Sequence, residues 1–315
     1  MGTGNCLMGP WVFAHVADIQ VGSPRSFRFA PAWNDNWQTA RKQIIDADPE
    51  LLLIGGDLTR DGNLHRYELE AIKKDLDGLP FPYHVIPGNM DTGNKHGDVS
   101  GPPREGRDTD VNLNMTSEQL AQFVSIFGPA HWSFVHKHVR FSGLCDMLAG
   151  SALPEEREQW KWLDELAALP REKHHVWIMH SPLFLDDLHE PTWDIRDPAE
   201  YVYWYFNIDE PHRSRLFETF KATGAGLVIT GHIHCRKAHF ADGIRFDLAP
   251  ATCMSQLGDH WPDGDPTLGF TKYEVTEQGI CGTFVPLSEA STRTGYGPGG
   301  HPPPSARDYS IAWEK

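Results

Sequence analysis

Short apolar segments alternate with segments of helical periodicity through the first third of the chain. Three apolar runs have the length of buried β-strands, and they lie at Trp11–Val16, Leu51–Ile54 and 83–86. After the first run, Ala40, Ile44 and Ile45 recur on one face of a predicted helix, and residues 64–76 show the same periodicity after the second run. The alternation predicts strand–helix units, which build parallel sheets.

Further strands follow, and the chain ends in hairpins. The pattern predicts a hairpin at 131–145, helices at 154–169 and 211–223, strands at 175–179 and 226–230, and strand pairs at 237–248 and 270–285. Asp242-Gly243 is typical of a two-residue hairpin turn, and Thr116 or Ser117 is expected to cap a helix. Strand–helix units followed by hairpins predict a mixed fold, α/β or α+β.

The composition excludes several classes of protein. With 315 residues, of which 40% are hydrophobic and 23% charged, the chain is long enough to bury a core without disulfides. The formal net charge of -15 opposes nucleic-acid binding, so no nucleic-acid partner is expected, although a carboxylate cluster that holds cations would also be acidic. No apolar run is long enough to span a membrane, and residues 1–10 lack a signal-peptide layout, so a cytoplasmic location is expected. The five widely spaced cysteines are interpreted as buried or incidental thiols.

Several predicted strands are each followed by a polar residue at their carboxyl end. These residues are Asp18, Asp57, Asn89, His180, His232 and His234. Each one alone is an ordinary strand cap, turn former or core histidine. Together they offer six oxygen or nitrogen donors, and the carboxyl edge of an open α/β sheet is where ligands bind. The sequence therefore predicts one functional site at this edge.

The order of these blocks, D-x-Q, G-D, G-N, H and G-H-x-H, resembles the calcineurin-like metallophosphoesterase family from Asp18 to His234. The family's own pattern is D-x-H, G-D, G-N-H-D/E, H and G-H-x-H. Residues 180–184, 205–207 and 255–258 are also similar to calcineurin-like phosphoesterase domain-containing proteins, some of which act on phosphoproteins. The resemblance implies a four-layer αββα sandwich of two mixed β-sheets flanked by helices.

The resemblance also implies a centre of two divalent cations. Its first site would be formed by Asp18, Gln20, Asp57 and His234, and its second by Asp57, Asn89, His180 and His232. Carboxylate, amide and imidazole ligands suit Mn, Fe or Zn. In the implied reaction a hydroxide that bridges the two metals attacks phosphorus in line, with Asp57, Asn89, His232 and Asp91 as the catalytic residues.

Two positions depart from the family pattern. Gln20 replaces a histidine, and its amide oxygen is expected to bind the first metal more loosely than an imidazole, or to point away and leave the place to water. Met90 replaces the histidine that protonates the leaving group or contacts the phosphate, and a thioether carries no proton. His96 and His212 are the candidate replacement donors, and Asp91 is expected to orient the loop.

Other candidate substrate residues lie outside the metal blocks. Met90, Tyr205 and Asn207 are expected to face the substrate, while the aromatic run 201–206 either stacks on a substrate ring or packs its loop onto the sheet. The expected organisation is a catalytic domain at 11–290 with lid loops at 92–116 and 184–210, followed by a Gly/Pro-rich tail at 291–315.

The function expected from these residues is dinuclear metal-dependent hydrolysis of a small phosphomonoester or phosphodiester. The expected partner is therefore a small phosphorylated substrate, with no membrane and no nucleic acid. Two alternatives stay open: a phosphoserine/threonine protein phosphatase, and a catalytically weak metal-binding scaffold for protein interaction.

Overall fold

Two β-sheets packed face to face form the centre of the molecule in a computed structural model that describes residues 9–26, 29–97, 113–195, 197, 199–255 and 261–294. The strands of the first sheet are β1 (Trp11–Val16), β2 (Leu51–Ile54), β3 (Tyr83–Val85), β10 (Gly269–Val275) and β11 (Ile280–Pro286). They lie in the order β11-β10-β1-β2-β3. β1, β2 and β3 run parallel to one another, whereas β10 is antiparallel to both of its neighbours. The first sheet is therefore mixed.

The second sheet is also mixed. Its strands are β4 (Trp132–His136), β5 (Val139–Gly143), β6 (His174–Ile178), β7 (Leu227–Thr230), β8 (Lys237–Ala241) and β9 (Ile244–Leu248). They lie in the order β4-β5-β6-β7-β9-β8, with parallel strands in the middle and an antiparallel strand at each edge.

Helices cover the outer face of each sheet. The helices are α1 (Pro31–Asp46), α2 (Arg66–Leu76), α3 (Asn89–Thr92), α4 (Ser117–Phe127), α5 (Pro154–Ala167), α6 (Tyr201–Tyr205) and α7 (His212–Thr223), with a 3-10 turn at Asp146–Leu148. Trp37 of α1 and Phe123 of α4 pack on the first sheet, while Leu163 of α5 and Phe220 of α7 pack on the second. The four-layer αββα sandwich is confirmed.

The central strands are apolar on both sides because both sides are covered. In β2, Leu51 and Leu53 face the opposite sheet, whereas Leu52 and Ile54 face the helices, as the two-residue period of a strand requires. Side chains of β6 and β7 divide between the inter-sheet core and the helix-facing core in the same way. Such strands appear in the sequence as continuous apolar runs, which is why they were predictable.

The predicted strands and hairpins are confirmed, and the longer helices are confirmed to within a few residues at their ends. Thr116 caps α4, with its hydroxyl accepting a hydrogen bond from the Gln119 backbone N–H. The sequence pattern missed α3, α6 and the 3-10 turn. Elements of three to five residues are too short to express a helical period, so no pattern could have predicted them.

Contacts beyond the last strand tie the chain back to α1. The Ser291 backbone N–H donates to Asn36 and the Arg293 guanidinium pairs with Asp35. The remainder of the predicted tail, from 295 onwards, lies outside the described residues.

Cys145, Cys235 and Cys253 are buried thiols and Cys281 is an exposed one. Within the part of the chain described here, every helix is too short or too polar to cross a membrane.

Buried histidines give the fold an expected pH dependence. Burial lowers the pKa of His15 to about 3 and the pKa values of His84 and His175 to about 4. The unfolded chain binds these protons near pH 6.5 while the folded chain does not, so stability is full above about pH 6.5 and falls as the pH drops towards 4. Each histidine contributes up to about a tenfold rise in the unfolding constant per pH unit.

Urea unfolding of the metal-free protein between pH 7 and pH 4 measures this effect. His84 stacks on Phe134 at 4.0 Å between ring centroids, so His84→Phe preserves the packing and removes the titrating ring. We expect this variant to lose less stability than the wild type over the same pH interval. Equal losses in the two proteins would show that His84 does not contribute.

Candidate metal centre

The carboxyl ends of five strands bring the predicted site residues together between the two sheets. The first sheet is followed by Asp18, Gln20, Asp57 and Asn89, and the second by His180, His232 and His234. All seven side chains are buried, with Asn89 and His232 the most exposed at 4%. Polar donors buried so completely need partners, because an unpaired charge in a low-dielectric interior is costly.

Two groups of donors at this place share one carboxylate. Asp57, His180 and His232 form one group, and Asp18, Asp57 and His234 form the other, each with its ligand atoms within 4.8 Å of one another. Asp57 thus lies where a carboxylate that bridges two cations would lie. The Asn89 amide oxygen lies 3.1 Å from His180 Nε2, next to the first of these groups.

Backbone carbonyls fix the orientation of all three histidine rings. His180 Nδ1 lies 2.8 Å from the Gly55 carbonyl oxygen, and His234 Nδ1 lies 2.9 Å from that of Met254. His232 contacts the Tyr205 carbonyl oxygen through Nε2 at 3.2 Å. A ring nitrogen that faces a carbonyl oxygen donates its proton there, which leaves the other nitrogen of a neutral ring to offer a lone pair. Histidines that bind metals typically have such a hydrogen-bond acceptor at the ring nitrogen that does not face the metal.

The charges of the site also suit divalent cations. Burial and the neighbouring Asp18 raise the pKa of Asp57, because two carboxylates are held together away from water. Burial lowers the pKa of His232 far below its usual value and keeps this ring neutral, as a ligand must be. The residues therefore fit a pair of cations by donor type and placement.

Gln20 points into the centre, with its amide group oriented by an arginine. The Arg60 guanidinium donates to Gln20 Oε1 at 3.1 Å, and Gln20 Nε2 donates to Asp57 Oδ2 at 3.0 Å. Gln20 was expected to ligate through its oxygen or to point away, and this orientation matches neither expectation. The oxygen faces Arg60, and an amide nitrogen has no lone pair to offer a metal. No sequence motif points to Arg60, which is forty residues distant in the chain.

This orientation predicts unequal metal affinities. The group around Asp18 and His234 lacks a lone pair from residue 20. A metal titration should therefore resolve one tightly bound ion and one ion bound with lower affinity. Gln20→His supplies an imidazole, and we expect it to tighten the weaker ion by about tenfold or more. Isothermal titration with Mn²⁺ measures both steps, with Gln20→Leu as the control that adds no ligand. Two equal sites in the wild type would contradict the prediction.

Asn89 links the centre to α6. Its amide nitrogen donates to the Tyr205 hydroxyl at 2.9 Å and to Asn94 Oδ1 at 3.1 Å. The same nitrogen lies 3.4 Å from the sulfur of Met90, and the Met90 backbone N–H donates to Asp57 Oδ1 at 2.8 Å. Met90 and Tyr205 thus meet at the Asn89 amide group.

Asp91 fastens the two loops that carry Asp57 and Asn89. Its carboxylate accepts hydrogen bonds from the backbone N–H groups of Leu58, Thr59 and Gly88. Asp146, which no sequence motif marks, accepts hydrogen bonds from the backbone N–H groups of His180 and Ser181 and so positions His180.

Glycines next to the ligands allow the close approach of the backbone. A Cβ atom on Gly88 would lie 2.2 Å from Asp57 Oδ1, and one on Gly231 would lie 2.6 Å from Asp18 Oδ2. Any larger residue would displace these carboxylates. The glycines are visible in the motifs, but the contacts that require them become apparent only in the folded structure.

Five ligand candidates have left-handed backbone. Their φ angles are 53° at Asp18, 47° at Gln20, 51° at Asp57, 72° at His232 and 51° at His234. Residues with a side chain adopt this region at a cost of about 1 kcal/mol or more each, and such residues cluster at functional sites. Neighbouring backbone bonds hold them, for example from the Gln20 N–H to the Asp57 carbonyl at 2.9 Å.

The remaining predicted site residues have contacts elsewhere. His96 contacts the Met115 carbonyl, and His212 of α7 stacks on Trp160 of α5, so among the described contacts neither ring reaches the candidate ligands. The Asn207 amide donates to Glu190. Trp204 and Phe206 are buried in the packing of the α6 segment, while Tyr205 reaches the centre. Parts of the predicted loops and motifs lie outside the described residues. They are residues 98–112 of the first predicted lid, residues 196 and 198 of the second lid, and residues 256–258 of the subgroup motif.

Oxygen and nitrogen donors surround one shared carboxylate, at the edge where two facing mixed sheets meet. This is the arrangement of a metal-dependent phosphoesterase. The chain belongs to the calcineurin-like phosphoesterase family, because the model of that family matches residues 12–236. Family members use dinuclear metal centres.

Curated relatives and a solved structure agree with this assignment. The chain is 25% identical to the serine/threonine-protein phosphatase CPPED1 of Danio rerio, over 90% of this chain and 87% of the relative. It is also 25% identical to the human protein of the same name, over 90% and 86%. The crystal structure of a dimetal phosphatase from Danio rerio shares the fold, with a TM-score of 0.56 at 14% identity over 88% of this chain and 99% of the other.

Proposed function

We propose that the chain hydrolyses a small phosphomonoester or phosphodiester at a centre of two divalent cations, chosen from Mn, Fe and Zn. Asp18, Asp57 and His234 would hold one cation, and Asp57 with Asn89, His180 and His232 would hold the other. The observation that carries this proposal is the pair of donor groups that share Asp57, each within 4.8 Å.

When bound, the cations would polarise the phosphoryl oxygens and lower the pKa of water. The protein's own groups then hold the site in shape. The Met90 and Gln20 N–H groups donate to the two Asp57 oxygens and fix the carboxylate. The ring nitrogens that face carbonyl oxygens keep each histidine in one tautomer. Burial of the ligands excludes bulk water and strengthens their electrostatic interactions with an anionic ester.

A phosphoserine/threonine protein phosphatase is the second candidate function. Its support is the name of the CPPED1 relatives, serine/threonine-protein phosphatase, and their alignment with 90% of this chain. A phosphoprotein would have to bring a phosphorylated side chain to the same buried centre. The two candidates therefore differ in the substrate that reaches the site and share the chemistry.

The test compares p-nitrophenyl phosphate, bis-p-nitrophenyl phosphate and a phosphoserine peptide after loading with Mn, Fe or Zn. We expect hydrolysis of at least one small ester, faster than hydrolysis of the peptide. A faster reaction with the peptide would favour the protein phosphatase. Protein that holds two metals and hydrolyses none of the three would overturn the proposal and favour a binding scaffold.

A further inference from the structure

Among the described residues, Met90 and Tyr205 contact the candidate centre on its more open side without being predicted ligands. The seven residues around the centre are buried, whereas Met90 and Tyr205 are only half-buried. Both contact the Asn89 amide nitrogen, Tyr205 through its hydroxyl at 2.9 Å and Met90 through its sulfur at 3.4 Å. Of the two, only Tyr205 carries an O–H group.

Tyr205 is held rigidly over one half of the centre. Its backbone carbonyl contacts His232 Nε2 at 3.2 Å, and its ring centroid lies 5.0 Å from that of His232. The Phe206 ring packs edge-on against it at 4.8 Å. The side chain therefore spans from His232 to Asn89. Because the hydroxyl oxygen accepts the Asn89 hydrogen bond with a lone pair, its own hydrogen points in another direction.

In-line displacement determines which ester oxygen meets this hydroxyl. A water held between the two donor groups would attack from the buried side, so the departing oxygen would lie on the opposite, open side of phosphorus. We propose that Tyr205 is a catalytic residue whose hydroxyl donates a hydrogen bond to the leaving-group oxygen. This inference rests on the proposed phosphoesterase function.

The step balances without a further reactant. A new P–O bond forms to the water oxygen while the ester P–O bond breaks, and its electron pair stays on the departing oxygen. Overall, a proton of the attacking water ends on the alcohol that leaves. The Tyr205 hydrogen bond stabilises the charge on the departing oxygen during this change, and the tyrosine is unchanged at the end.

Leaving groups of different basicity test this role. An alkoxide is a much stronger base than p-nitrophenolate, so the departure of an alkoxide depends far more on the hydrogen bond from Tyr205. We expect Tyr205→Phe to lower kcat/KM by about 10- to 100-fold for an alkyl phosphate but only a few-fold for p-nitrophenyl phosphate. Bound Mn²⁺ measured by metal analysis should stay at the wild-type level. Tyr203→Phe is the matched control, because Tyr203 belongs to the same helix and stacks on Trp193.

Three results separate the possible failures. Equal losses of kcat/KM on both esters, or no loss, would show that Tyr205 does not act on the leaving group. Loss of bound Mn²⁺ in Tyr205→Phe would show that it only positions Asn89. If the metal-loaded wild type hydrolyses neither ester, the proposed function itself fails, and the role of Tyr205 fails with it.

Discussion

Asp57→Asn should reduce phosphoester hydrolysis by about 10³-fold or more. Asp57 belongs to both donor groups, so its replacement by a neutral amide weakens both cation sites at once. Cations in such centres contribute several kcal/mol to the stability of the transition state, and each 1.36 kcal/mol is a factor of ten in rate. Hydrolysis of p-nitrophenyl phosphate and the metal content of the purified protein measure the loss.

The same variant should not unfold the metal-free protein. Burial and Asp18 raise the pKa of Asp57, so its charge destabilises the folded state at neutral pH, and the amide removes that charge. We expect metal-free Asp57→Asn to melt at the wild-type temperature or above it. Asp247→Asn is the matched control, since Asp247 is buried and bonded to Tyr273 and Arg245 rather than to the centre. Full activity in Asp57→Asn would contradict the proposed centre.

Met90→His should raise turnover of alkyl phosphates by up to about 100-fold. The side chain is half-buried beside the Asn89 amide, so an imidazole at this position would supply a proton donor where a thioether has none. The gain should be largest for poor leaving groups and larger still in a Tyr205→Phe background, where the imidazole replaces the missing hydroxyl.

Met90→Leu is the control for this gain, because leucine has a similar volume and no proton. Steady-state kinetics on an alkyl phosphate and on p-nitrophenyl phosphate give the comparison. Unchanged alkyl turnover in Met90→His, with metal loading intact, would rule out leaving-group protonation as the step that residue 90 limits.

The sequence predicted the parts of the fold and site that depend on local pattern. Continuous apolar runs identify strands covered on both faces, and a polar residue after each run identifies the ligand edge. Asp18 and His234 could therefore be placed in one site although they are far apart in the chain. The two-sheet sandwich itself came from the family resemblance, because periodicity does not specify which strands pair.

The parts that depend on non-local contacts were not predictable. The amide orientation of Gln20 is set by Arg60, and the position of His180 depends on Asp146 in a short 3-10 turn. Tyr205 reaches Asn89 across 116 positions of sequence from a five-residue helix. Each of these contacts joins residues that are far apart in the sequence, whereas hydrophobic periodicity describes only neighbouring residues.

The pairing of β1 with β10 also sets an order of events during synthesis. All candidate ligands have been made by His234, but β10 begins only at Gly269, so one edge of β1 has no partner in the described fold until residues 269–275 have been made. A ribosome adds about 5 to 20 residues per second, which leaves this apolar edge open for seconds. An unpaired strand edge in a nascent chain is a template for aggregation. Chaperone protection during this interval should therefore raise the yield of folded protein.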